Sequence, residues 1–68
     1  MTVELNGEPV EVDAAATVAT AVDRVGANGE RRGVAVAVDG EVIPRSAWED
    51  TPLSEGQKIE IVGAIQGG

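Results

Sequence analysis

The chain ends in Gly67-Gly68, and two glycines followed by a carboxylate are the thinnest and most pliable arm that a polypeptide can offer. Neither residue has a Cβ, so such an arm can enter a narrow active site and adopt dihedrals closed to other residues. On that reading the chemistry belongs to the terminal carboxylate, and the rest of the chain is a handle that other proteins grip; the other reading of such an ending is a frayed terminus. Little else here could do chemistry. With no cysteine and no histidine, thiolate and imidazole metal sites and Ser-His or Cys-His nucleophile systems are excluded. The acidic residues show no metal-ligand spacing. Arg45 and Trp48 lie close in sequence, but their expected work is structural, with Trp48 covering an edge of the core and Arg45 pairing with an acidic neighbour. A chain of this composition is expected to be acted upon rather than to catalyse.

Twelve acidic residues against five basic ones give a net charge of −7. Nucleic-acid binding needs clustered Lys and Arg to release counterions, and only Arg31 and Arg32 are adjacent. Trp48 is the sole aromatic residue, so base-stacking platforms are lacking as well. An acidic surface suits a basic protein partner. No apolar run is long enough to span a membrane and the N-terminus lacks the basic and apolar regions of a signal peptide, so a cytoplasmic location is expected.

The elements that must position the arm are short. Thr2 to Asn6 alternates polar and apolar residues, Asn6-Gly7 is a hairpin signal, and Pro9 to Asp13 resumes the alternation. Thr17 can cap a helix, along which Val18, Ala21, Val22 and Val25 form one apolar stripe, and Gly26 supplies a stop. Ala27 to Gly33 reads as an exposed loop. Val34 to Val38 is the clearest strand, with valines on one face and alanines on the other. Asp39-Gly40 turns it into Glu41-Val42-Ile43, which Pro44 ends. Ser46 to Asp50 reads as a short helical turn, Glu55-Gly56 as a turn, and Lys58 to Val62 as a last strand running on through Gly63 and Ala64 to the tail.

One amphipathic helix covers one face of one small sheet, which makes this an α+β domain of two layers. The expected core is Val3, Leu5, Val10, Val12, Val18, Val22, Val25, Val36, Val38, Leu53, Ile59 and Ile61, with the apolar last strand central. A 68-residue chain buries only about 60% of its unfolded surface, so this core must be efficient. The other sheet face is left without a cover. Ala35, Ala37, Val62 and Ala64 would form a flat patch of small apolar groups there, with Glu60 nearby to meet a basic partner surface.

Three segments carry a family likeness. They are Val38-Asp39-Gly40-Glu41-Val42-Ile43-Pro44-Arg45-Ser46-Ala47-Trp48, Leu53-Ser54-Glu55-Gly56-Gln57-Lys58-Ile59-Glu60-Ile61-Val62, and Ala64-Ile65-Gln66-Gly67-Gly68. With this order of elements the chain resembles the ubiquitin-like β-grasp sulfur carriers, and among them the ThiS-type carriers of thiamine biosynthesis. The resemblance implies a β-grasp domain over residues 1–64 and a flexible tail over 65–68. It also implies that a ThiF-type adenylyltransferase uses ATP and Mg to adenylate the carboxylate of Gly68. A sulfur donor enzyme then supplies sulfur to give a thiocarboxylate, which thiazole synthase consumes. No cofactor is expected on the chain itself. Ile65, Gln66 and Gly67 would enter the partners' active sites, Gln66 guiding the tail by hydrogen bonding and Ile65 packing on a partner. The rival readings are a carrier for molybdopterin or another sulfur pathway, a ubiquitin-like modifier joined to lysines, and a β-grasp adaptor that binds without covalent chemistry.

Overall fold

The structure, a computed structural model, describes residues 1–25 and 33–63. The strands are β1 (Thr2–Leu5), β2 (Glu8–Glu11), β3 (Val34–Val38), β4 (Glu41–Ile43) and β5 (Lys58–Gly63), with one α-helix, α1 (Val18–Val25), and a 3₁₀ helix over Arg45–Asp50. Both hairpins form where the Asx-Gly pairs predict them. Asn6 and Gly7 have φ of 50° and 87°, and Asp39 and Gly40 have 50° and 85°. Positive φ at both central residues gives the type I′ twist that matches paired strands.

The sheet has the order β2-β1-β5-β3-β4. The apolar last strand is indeed central, parallel to β1 and antiparallel to β3. Val3 and Leu5 of β1, Val36 and Val38 of β3, and Ile59 and Ile61 of β5 are buried on one face. Val18, Ala19, Ala21 and Val22 of α1 complete the second layer. Valines are poor helix formers, and contacts at the N-terminus of α1 hold this short helix in place. The Val18 N–H donates to the Thr51 carbonyl at 2.9 Å, and the Leu53 N–H to the Ala16 carbonyl at 3.0 Å. The cap bond seen here runs in the reverse sense to a Thr17 hydroxyl cap. The Thr20 hydroxyl accepts from the Thr17 N–H at 3.1 Å, the half of a capping box that reaches backwards.

The core differs from expectation at three valines. Val25 is 43% exposed, because the rise of about 1.5 Å per residue carries the stripe to the end of a helix too short to keep it covered. Val10 and Val12 pack against the core but remain half-buried, since Val10 lies on the edge strand β2, which has a neighbour on one side only, and Val12 lies just past the end of that strand. Ala16, Ala19, Ala21 and Trp48 fill the space instead. Trp48 is not an edge cover but a central filler, 2% exposed, and its indole N–H donates to the Ile43 carbonyl at 3.0 Å. Arg45 is exposed. The expected Gly26 stop and the loop from Ala27 to Arg32 lie outside the described residues.

Candidate tail-presenting strand and docking face

β5 is the element that delivers the chain towards Gly68, and it is gripped from both sides. The ladder to β3 pairs Val38 with Ile59 through to Val34 with Gly63. At its start, the Lys58 N–H donates to Asp39 Oδ1 at 3.0 Å while the Asp39 N–H donates to the Lys58 carbonyl at 2.7 Å. On the other side, β1 ends at Leu5, opposite Ile59. The Asn6 N–H still donates to the Ile59 carbonyl at 2.9 Å, and the Ile61 N–H then reaches Asn6 Oδ1 at 2.8 Å. The side-chain amide thus stands in for the backbone carbonyl that the turn has carried away. Both first turn residues, Asn6 and Asp39, therefore bend a hairpin and also fasten β5.

Asn6→Gly keeps the left-handed turn accessible and deletes this acceptor. The part-buried Ile61 N–H is then left without it, and the domain is expected to lose about 1 kcal/mol or more. That corresponds to a Tm lower by about 4–8 °C for a domain of this size. An unchanged or higher Tm in a thermal melt would show that the bond contributes nothing.

The sheet face away from α1 divides into two halves. Thr2 and Glu4 of β1 stand beside Glu11 and Pro9 of β2, and the Thr2 hydroxyl donates to Glu11 Oε2 at 3.2 Å. The other half is apolar and small. Ala35 pairs with Val62 and Ala37 with Glu60 across β3 and β5, and Ala37 pairs with Val42 on β4. Val62 is 61% and Val42 71% exposed. Ala35 and Glu60 are exposed and Ala37 is half-buried. Of the residues assigned to a docking face, Ala35, Ala37, Glu60 and Val62 are thus brought together on adjoining strands. Ala64, Ile65, Gln66, Gly67 and Gly68 lie outside the described residues.

Val42 and Asn6 are additions. The alternation of Glu41-Val42-Ile43 already put Val42 opposite its neighbours. Nothing local to Asn6-Gly7 showed that its amide would meet a strand more than fifty residues on. No group of His, Cys, Asp or Glu able to hold a metal ion occurs among the described residues, and no helix there is long and apolar enough to cross a membrane.

The comparisons with known proteins bear on the family and on the fold. A family model described as the ThiS family matches residues 3–68. A crystal structure of the thiamine biosynthesis protein ThiS from Geobacter metallireducens matches with a TM-score of 0.78 at 27% identity, covering 100% of each chain. A crystal structure of SAMP1 from Haloferax volcanii matches with a TM-score of 0.60 at 23% identity, over 98% of this chain and 97% of that one, which shows a shared fold. No curated protein matches closely enough to carry an argument.

Proposed function

The chain belongs to the ThiS family of ubiquitin-like β-grasp sulfur carriers, and from that premise we propose that its Gly68 carboxylate is adenylated and then converted to a thiocarboxylate for thiazole formation in thiamine biosynthesis. The observation that carries this reading is the family match running to the last glycine, combined with a central strand that heads into that tail.

The chemistry explains why a carrier needs an activating enzyme. A carboxylate is a poor acyl donor, because its negative charge repels nucleophiles and an oxide is a poor leaving group. Joining one oxygen to AMP, with pyrophosphate released from Mg-ATP, cancels the charge and creates a good leaving group. Sulfide-level sulfur (HS⁻) supplied by a donor enzyme then attacks the same carbon, so that the C–S bond forms as the C–O bond to AMP breaks, and loss of a proton leaves the thiocarboxylate. Cationic groups on the activating enzyme would stabilise the charge developing on phosphate and carbonyl. The arm from Ile65 to Gly68 spans about 13–14 Å when extended, enough for Gly68 to reach a buried site while the domain stays outside. Ile65, Gln66 and Gly67 would enter the same passage. ThiF-type adenylyltransferase and thiazole synthase are the partners this reading names, in the cytoplasm, with no cofactor held by the carrier.

The apolar half of the uncovered face, Ala35, Ala37, Val42 and Val62, is the surface on which such enzymes would dock, with Glu60 beside it for a basic group. Val62→Arg is expected to weaken binding of the adenylyltransferase by about tenfold, the loss typical of a disrupted interface centre. Because Val62 is 61% exposed, the Tm should not move. Titration calorimetry beside a thermal melt checks both, and unchanged affinity would remove this face from the interface. Ala37→Arg is the less clean probe, since Ala37 is half-buried.

The function itself is tested by an intact mass spectrum of the chain after incubation with Mg-ATP, the adenylyltransferase and a sulfur donor. Exchange of one oxygen for sulfur at Gly68 is the expected result. Only unmodified protein would favour the adaptor, and an isopeptide adduct in a lysate the modifier. Transfer of the sulfur by thiazole synthase rather than by a molybdopterin synthase large subunit separates the thiamine pathway from its nearest rival.

A further inference from the structure

Gly63 is a glycine that neither the backbone nor the packing of the described chain requires. It is the last residue of β5, its φ lies outside the left-handed region, and a Cβ placed on it would meet nothing within 4 Å. Glycine weakens a strand through its backbone entropy, and inside one it often marks a place where another backbone approaches closely. The edge beside it has no neighbouring strand among the described residues. β1 stops at Leu5, opposite Ile59, while β5 continues to Gly63. The carbonyl of Ile59 and the N–H of Ile61 both face the β1 side, where they meet Asn6. Backbone direction alternates with every residue of a strand. The Ile61 carbonyl and the Gly63 N–H therefore face that side too, beyond the turn, with no strand opposite them among the described residues. A shallow concavity of about 560 Å³ lies next to this edge, lined by Glu4, Asn6 and Gly7 and by Lys58, Ile59, Glu60 and Val62 of β5.

We propose that a protein partner adds an extended segment along this edge, accepting from the Gly63 N–H, donating to the Ile61 carbonyl, and setting a basic side chain against Glu60 or Glu4. The two main-chain groups call for a strand backbone. The two carboxylates, outnumbering Lys58, call for positive charge. The inference rests on the reading that an enzyme grips this domain to reach Gly68, and it adds how the grip is made. Strand addition here would fix the direction of the chain five residues before the carboxylate.

The test uses the full chain and its ThiF-type adenylyltransferase. Gly63 pairs with Val34 in the β3 register, but its N–H faces the other way. Gly63→Pro therefore removes the proposed donor without breaking a bond to β3, and Gly63→Ala keeps the donor. Affinity is expected to stay within about twofold for Gly63→Ala and to fall about tenfold or more for Gly63→Pro, as for a buried main-chain bond left unmade. Amide hydrogen exchange on the unsubstituted chain decides the matter even if the proline variant fails to fold, because the Gly63 amide should be slowed only in the complex. A Gly63 amide that exchanges equally fast in the complex, or a folded Gly63→Pro that binds like the parent chain, overturns the proposal. A complex with a protected Gly63 amide but no adenylation of Gly68 would overturn the carrier reading and leave strand addition standing. No complex at all would overturn both.

Discussion

Removal of Gly67 and Gly68 is expected to abolish oxygen-for-sulfur exchange completely while leaving the Tm of the domain where it was. The buried core runs from Val3 to Ile61, so the truncation takes away none of it. The shortened chain still ends in a carboxylate, now on Gln66, so the loss would not come from missing functional-group chemistry. It would come from reach and bulk. Two residues shorten an extended arm by about 7 Å, and a misplacement of about 1 Å at a reacting centre already costs about 10²-fold. The new terminal residue also carries a side chain into a passage that two glycines would have left open. An intact mass spectrum of the truncated chain beside the full one, each with adenylyltransferase, Mg-ATP and sulfur donor, reads the result. A truncated chain that still gains sulfur would mean that the tail is not the reacting arm. A truncated chain that retains its cellular function without gaining sulfur would point to the adaptor.

Trp48→Ala is expected to remove a large share of the domain's stability. Truncating a buried tryptophan costs about 3–5 kcal/mol. A 68-residue domain holds about 3–10 kcal/mol in total, at roughly 0.05–0.15 kcal/mol per residue. No disulfide offsets the loss, since the chain has no cysteine. The damage would spread beyond the cavity, because the 3₁₀ helix that carries Trp48 leads into Thr51 and Leu53, which are bonded to Val18 and Ala16 at the start of α1. Trp48→Phe separates packing from polarity. It keeps a ring in the core but leaves the Ile43 carbonyl without its indole donor, and a cost of about 1–3 kcal/mol is expected. Urea titration followed by far-ultraviolet circular dichroism gives both values. An alanine variant with a midpoint near that of the parent would show that Trp48 is not the centre of the core.

The elements were legible wherever their cause is local. Asn6-Gly7 and Asp39-Gly40 bend the chain by their own tolerance of positive φ. The alternation along Val34–Val38 sorted valines inward and alanines outward before any partner strand was known. The same alternation put Ala35, Ala37 and Val62 on the uncovered face. Val25 misled because a helical stripe records angle around the axis and not distance along it, so periodicity shows no end to the core. Val10 misled because alternation says which way a side chain points and not whether its strand lies at an edge. The depth of Trp48 is not legible in the sequence, because a short helical turn carries no period from which burial could be read.

The sequence by itself determined the hairpins, the helix and the family likeness, since each depends on residues a few positions apart or on the order of motifs along the chain. Tertiary structure decided what those elements do for one another. Asn6 meets Ile61 across 55 positions, and Asp39 meets Lys58 across 19. Only the strand order β2-β1-β5-β3-β4 makes either contact possible. The same order ends β1 before β5 is finished and leaves the edge at Gly63 with no strand opposite it among the described residues. That edge is a difference in length between two strands far apart in sequence, and no local pattern encodes such a difference.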